Sequence, residues 1–378
     1  MNPPSLRPVV HATKTEAASA ALDRLARELG PGRRLPRFND LCKTLCVSRV
    51  TLDRALARLE QQGVLVRRHG RGIFTTEQLG QRTIGVVIGS DPFEAGRSPA
   101  ARLVLDRLYA GAEQHQLRLR TYLDLPNRPD RAQLRQSLQA EVETGQVHGL
   151  ILHSASGATQ RAWLTELGVP LVYSGRETTS GWRVGMDYDW LIDTGVAELA
   201  RQGCRRAGLF THVERRLVKR FGNQRRRRFR AALQHHGLDE DTAWSHMPCR
   251  DVEEWTRPGA PGMEQIGYEG ARDRLADDAT PAPDGLLITD DMMARGALTA
   301  LSRAGLRPGH DVHIVTHSNR GTATLIGYED ELTRLEVDLD ALADCLLHTL
   351  ETLLDGSRPT ESPIRLRPTL IRPRHQSA

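Results

Sequence analysis

The sequence predicts an α/β protein in two unequal parts: a small three-helix module with a two-stranded hairpin, then a large doubly wound region of two lobes. Three observations predict it. Between residues 15 and 74, apolar residues recur at helical spacing in three short segments, and the last runs straight into two glycine-linked strand runs. From Thr83 onward, short apolar strand runs alternate with helical segments. The net positive charge is confined to the first part: residues 1–80 hold 14 Lys+Arg against 7 Asp+Glu, and the remaining 298 hold 38 against 40. That split is expected if the first part meets phosphate and the rest does not.

A chain of 378 residues can form two or three domains, and 39% hydrophobic with 26% charged residues is ordinary for a globular protein. No run approaches the ~18–20 apolar residues of a membrane span, and residues 1–19 lack a secretory pattern, so no membrane partner and a cytoplasmic location are expected. Five scattered cysteines do not form a disulfide framework. Cys42 and Cys46 stand four apart, but no second Cys/His pair follows at zinc-finger spacing, so no metal and no cofactor are expected. Lysine occurs only at 14, 43 and 219, so the choice of Arg at any one basic position carries little information.

The elements of the small module follow in order. Residues 15–29 place Leu22, Leu25 and Leu29 on one side of a helix, and Gly30, Pro31 and Pro36 interrupt it. A second helix is expected over 38–45. Ser48 is positioned as the N-cap of a third, with Leu52, Ala55, Leu56 and Leu59 inward and Arg49, Val50, Thr51 and Arg54 outward. Gly63 ends it. Val64-Leu65-Val66 and Ile73-Phe74 read as strands around the basic tip Arg68-His69-Gly70-Arg71-Gly72. Three helices and a hairpin of this size make a winged helix-turn-helix.

Gly32, Leu35-Pro36, Val47-Ser48-Arg49, Thr51, Ala55-Leu56, Leu59, Gly63 and Gly70-Arg71-Gly72 stand in the order and spacing of the GntR-type winged helix, which residues 13–76 resemble. The resemblance implies that Arg49 and Thr51 begin a recognition helix in the major groove and that Arg71 belongs to the wing. The DNA-binding set expected is Arg33, Arg34, Arg37, Ser48, Arg49, Thr51, Arg54, Arg68, His69 and Arg71. Two positions depart from the family: Asn39 and Asp53 stand where it usually has Arg. Asp53 is left with two roles, orienting Arg49 one turn back or accepting from a cytosine amino group.

Residues 77–82 read as a linker and 83–378 as one large region. Apolar strands are expected at 83–89, 117–123, 148–154, 170–175, 206–211, 285–289 and 312–316, with helices between, the pattern of parallel sheets covered on both faces. Ligands bind such folds where strand C-terminal ends face a cleft. The ordered pieces "VHGLILHS", "VPLVYSGRE", "VGMDYDWLIDTGVAELARQGCRRAGLF" and "TDDMMARGALTAL" resemble the LacI/GalR sensor domain over residues 83–373. This implies a periplasmic-binding-protein-like type I fold of two lobes joined by three crossovers. It also implies an effector cleft lined by Asp91, Phe93, Arg225, Asp291 and Asn319. Within Arg225–Arg228, one Arg is expected inward and three outward. Asp187 and Arg176 match further landmarks and fit a structural salt bridge equally; Trp182 and Trp190 fit the core or a sugar face.

The expected function is a ligand-responsive transcriptional regulator. It is read as a homodimeric repressor of double-stranded operator DNA, relieved by a sugar or related small molecule. An aminotransferase-like enzyme fusion is the alternative, disfavoured because its cofactor needs a Schiff-base lysine and only Lys219 lies outside the DNA module.

Overall fold

The computed structural model describes residues 13–373 except 78, 90, 93–97, 126–127, 154–156, 176–180, 242, 251–253, 255–256, 258 and 278–280. It divides into a small unit, essentially the residues up to Thr83, and a large one.

In the small unit, α1 (Lys14–Leu29), α2 (Phe38–Thr44) and α3 (Arg49–Gln61) enclose Leu22, Leu41, Leu52, Leu56 and Leu59, against which β1 (Leu65–Arg68) packs. Thr13 caps α1 through a reciprocal pair with Glu16, which satisfies two free backbone N–H groups. β1 pairs antiparallel with β2 (Gly72–Thr75) as the wing. Glycine is required at its tip: Gly70 and Gly72 have φ of 69° and 115°. The segment after α1 does more than connect. Leu35 N donates to Ile73 O at 2.9 Å and Thr75 N to Arg33 O at 2.7 Å, so residues 33–35 lie along β2 as a third, extended edge.

The large unit holds two six-stranded sheets. The first lobe is built on β3 (Arg82–Ile88), β4 (Leu117–Leu123), β5 (Gly149–His153), β6 (Leu171–Ser174), β7 (Trp182–Met186) and β15 (Ile364–Leu366), in the order β4-β3-β5-β6-β7-β15. Helices α4 (Ala100–Ala112), α5 (Arg131–Glu143) and α6 (Ala158–Glu166) accompany them. The second lobe uses β8 (Ala207–Phe210), β10 (Trp244–His246), β12 (Gly285–Ile288), β13 (His313–Asn319), β14 (Thr333–Val337) and β16 (Thr369–Ile371), in the order β10-β8-β12-β13-β14-β16. A small ladder of β9 (Val213–Glu214) and β11 (Cys249–Arg250) stands beside it. Its helices are α7 (Tyr188–Arg201), α8 (Asn223–His236), α9 (Met263–Leu275) and α10 (Asp291–Arg303).

Why the second-lobe strands are apolar throughout is visible in their two faces. Phe210, Leu286, Ile288 and Ile314 point to one core with α9 and α10, while Leu209, Leu287 and Val315 point to the other with α7 and α8. On the first face the helices meet backbone to backbone. A Cβ on Gly296 would sit 1.8 Å from Glu264 O, and one on Gly267 would sit 2.0 Å from Met293 O. Only glycine permits that crossing.

The chain passes between lobes three times. β7 ends in the first lobe and α7 packs in the second; β14 ends in the second and α11 (Leu339–Leu354) packs on α4 and β5–β7 of the first; β15 and β16 then finish one sheet each. The continuous apolar runs all form strands as expected. β7, β14, β15 and β16 lie outside the expected set because none is an unbroken buried run: Thr333–Val337 buries only every second side chain, β7 buries only Val184 and Gly185, and β15 and β16 bury none. A search for unbroken apolar runs passes over them.

Candidate nucleic-acid interface and ligand cleft

Ser48 caps α3 as its hydroxyl accepts from Thr51 N at 3.1 Å, and its oxygen lies 2.8 Å from Thr51 Oγ1. This bond fixes the start of the helix, from which Arg49, Val50 and Arg54 project into water. Arg49 does not stand alone. Its Nη2 donates to Asn39 Oδ1 at 3.0 Å, and its guanidinium lies 5.9 Å from the Phe38 ring centroid, both residues belonging to α2. The departure at Asn39 thus supplies the acceptor that aims Arg49. Asp53 bonds elsewhere: Arg67 Nη1 of the wing donates to its Oδ1 at 2.7 Å, and Arg67 also pairs with Glu60 at 3.0 Å. Asn39, and not Asp53, orients Arg49.

At the wing, Arg68 lies 5.0 Å over the Phe74 ring and 3.8 Å from Glu77, while His69 and Arg71 are exposed at the tip. Arg34 approaches the same hairpin, since a Cβ on Gly72 would meet its Nε at 3.0 Å. Arg33 and Arg34 therefore run along the wing's edge, and Arg37 begins α2; all three are exposed. Val50, 62% exposed, is the one large apolar side chain standing out on this face among the described residues.

In the large unit, of the five expected cleft residues Phe93 lies outside the described residues, as does Arg176. Asp91 is half-buried after β3. Arg225 is the inward member of its run, 2% exposed, while Arg226, Arg227 and Arg228 face out. Phe229, Ala232 and Leu233 are buried on the same helical face, the signal that selects it. Arg225 Nη1 donates to His212 O at 2.7 Å and Thr211 Oγ1 at 3.0 Å, and its guanidinium lies 3.9 Å over the Tyr188 ring. Thr289 Oγ1 donates to Thr211 Oγ1 at 2.8 Å, tying the ends of β8 and β12 together.

Asp291 opens α10 just past β12, 1% exposed, and accepts from Asn319 Nδ2 at 3.2 Å at the end of β13. Burial lifts its carboxyl above the usual carboxylate range, against the opposing pull of His317. Asp187 caps α7, accepting from Trp190 N at 3.1 Å, and Arg367 lies 3.7 Å away; Trp190 packs against the second-lobe core. Arg225, Asp291 and Asn319 thus gather at the C-terminal ends of β8, β12 and β13. The open pocket beside Arg225, about 460 Å³, is lined instead by Tyr188, Asp189, Phe221, Gln224, Arg183 and Arg365 among others, and by none of Asp91, Asp291 or Asn319. Arg183 and Arg365 were not foreseen: they lie on the short strands β7 and β15, far apart in sequence.

Residues 16–75 match the family described as bacterial regulatory proteins, gntR family, and residues 196–375 match a periplasmic binding protein-like domain. The chain joins a GntR-type DNA-binding domain to a periplasmic-binding-protein-like domain of LacI-type fold. The chain is 32% identical over 71 residues to a probable fructoselysine utilization operon transcriptional repressor of Escherichia coli K12, covering 19% of this chain and 29% of that one. A histidine utilization repressor of Pseudomonas aeruginosa is 31% identical over 125 residues, 32% of this chain and 42% of that one. The matches thus span less than half the length of either relative.

Among solved structures, a LacI transcriptional regulator from a Rhodococcus species superposes with a TM-score of 0.60 at 21% identity, covering 77% of this chain and 97% of its own. The Lac repressor bound to ONPG in the repressed state superposes at 0.58 and 17% identity, covering 97% and 99%. CcpA from Weissella paramesenteroides with bound sucrose also scores 0.58, at 18% identity over 77% and 97%. Among the described residues no helix is long and apolar enough to cross a membrane.

Proposed function

We propose that this chain is an effector-responsive transcriptional regulator: a homodimeric repressor that holds a palindromic operator with its GntR-type domain and releases it when a small molecule occupies the LacI-type cleft. The observation that carries the reading is Arg49, held by Asn39 at the exposed start of a capped helix, in one chain with a two-lobed cleft. An aimed guanidinium at a helix start suits bidentate reading of a guanine edge, with Thr51 and Arg54 beside it and Ser48 fixing the helix. Arg33, Arg34, Arg37, Arg68, His69 and Arg71, all exposed, would meet phosphates, and Val50 would meet a thymine methyl.

Arg225, Asp291 and Asn319 offer donors and acceptors to a polyhydroxylated ligand, and Asp91 is a further candidate acceptor. Sucrose and ONPG in two proteins of the same fold support a sugar-like effector here. Both curated relatives described above are repressors by name, which supports that sign of control and a cytoplasmic regulator rather than an enzyme.

Two readers on one site are favoured because a single winged helix covers too little DNA to discriminate well. The test is fluorescence anisotropy on the chain's own promoter, titrated with salt and then with candidate ligands. Steep salt dependence and release by one ligand are expected. Binding that is equal on promoter and random DNA overturns the regulator reading.

A further inference from the structure

The pocket beside Arg225 has a charge balance that a neutral sugar does not call for. Among its described lining residues are three guanidiniums, Arg183, Arg225 and Arg365, against the single carboxylate of Asp189. They come from both lobes: Arg183 from β7 and Arg365 from β15 of the first, Arg225 from α8 of the second. Arg365 pairs with Gly185 in the β7–β15 ladder, and Arg183 lies two residues before Gly185, so the two arginines share one face of the sheet. Arg225 is fixed from behind by Thr211, the His212 carbonyl and the Tyr188 ring.

We infer that this pocket receives an anionic small molecule, a phosphorylated or carboxylated polyol, whose charged oxygens are taken by Arg183, Arg225 and Arg365. The inference rests on reading the large unit as the effector-binding part. Guanidinium groups bind phosphate and carboxylate oxygens in paired, charge-assisted hydrogen bonds, and a half-enclosed pocket strengthens those bonds by excluding water. Tyr188, Phe221 and Met186 supply an apolar wall for the carbon skeleton.

Asp189 gives the pocket a further property. It lies 3.4 Å from Arg365 Nη1, reaching across the lobes, and 3.4 Å from Gln224 Nε2 on α8. An incoming anion competes with Asp189 for Arg365. Binding therefore exchanges a protein contact across the lobe seam for a ligand contact there, which is how occupancy would reach the lobe arrangement.

The test is calorimetry on the full chain with glucose, a glucose phosphate, gluconate and inorganic phosphate, beside anisotropy on promoter DNA in the same preparations. Binding of at least one organic anion is expected, at least about 10-fold tighter than glucose. Arg183→Gln and Arg365→Gln should each weaken it by about 10-fold, whereas Asp189→Asn should tighten it several-fold. That opposite sign is one a merely structural role would not produce.

A preference for the phosphate over gluconate assigns a phosphate ester, and the reverse assigns a carboxylate. Glucose binding as tightly as the anions, anion affinity unchanged in both Arg variants, or no anion binding up to the millimolar range overturns the inference. Inorganic phosphate binding as tightly as the organic anions overturns it too, leaving an adventitious ion only. Anion binding without promoter preference would instead sink the regulator reading and leave this one standing.

Discussion

In the winged module the charged groups stand in water. Arg67 and Asp53 retain 38% and 57% of their side-chain exposure, and Arg49 is held only by an amide and the edge of a ring. In the large unit Asp124, just past β4, retains none; it is clamped by Arg131 at 2.6 Å and Arg135 at 2.8 Å and accepts from Gln160 Nε2 at 2.7 Å. Exposed pairs aim side chains at a partner still to come and add little to stability, because water screens them. Buried pairs hold the fold, and losing one member strands the other in low dielectric. The same residue types thus serve recognition in one region and architecture in the other.

Asp124→Asn should break this contrast most visibly. Burial works against its charge, but hydrogen bonds from Arg135 and Arg131 outweigh that and hold the carboxyl below the usual range. Its stabilisation is present above the ordinary carboxylate pKa and is lost as pH falls through the folded one. At neutral pH the substitution should lower unfolding stability by about 2–4 kcal/mol in urea titrations, discounted because both arginines stay partly exposed. A loss under about 1 kcal/mol would put this pair in the same class as those of the wing.

His153 is the next largest. Its Nε2 lies 3.1 Å from Ala101 O, which can only accept, so that nitrogen carries the proton and Nδ1 accepts from Ser174 Oγ at 2.9 Å. Full burial holds its pKa down to about 4. Protonation then favours the unfolded chain. Stability is complete above about pH 6.5 and should drop by about 2 kcal/mol between pH 7 and pH 5. His153→Gln should flatten that slope in urea midpoints compared at the two pH values.

The reader offers the converse cases. Arg49→Ala should weaken promoter binding by about 1–3 kcal/mol and erase base preference at its position, with little effect on melting. Asn39→Ala should give part of the same loss in promoter anisotropy. Ser48→Ala removes the α3 cap and should cost about 1 kcal/mol of stability in the module, seen as a lower melting temperature. Smallest of all, Asp53→Ala should change unfolding stability by less than about 1 kcal/mol, since Arg67 keeps Glu60. A larger effect would mean that the wing depends on that exposed pair.

The two regions were also unequally legible. The reader is contiguous, so its caps, glycines and apolar stripe lie within a few residues of one another, and periodicity alone places every element. Even there, the partner of Arg49 was open in the sequence, because α2 approaches α3 only after the turn at Cys46 folds. The cleft is assembled from strand ends. Asp291 could be read through the resemblance of its motif to the sensor family. Arg225 could be singled out by Phe229 one turn on. Arg183 and Arg365 could not, since both strands are short and only partly buried, and their adjacency exists only in the β7–β15 register.

The triple passage of the chain between lobes also governs the order of assembly. Neither sheet is complete until residues 364–371 are in hand, for β15 closes one edge and β16 the other. During synthesis the winged module can fold on its own residues, while both lobes wait with unpaired strands for a segment some 180 residues beyond β7. For that interval the nascent protein is a finished hand on an unfinished arm, with open sheet edges that a chaperone would be expected to cover.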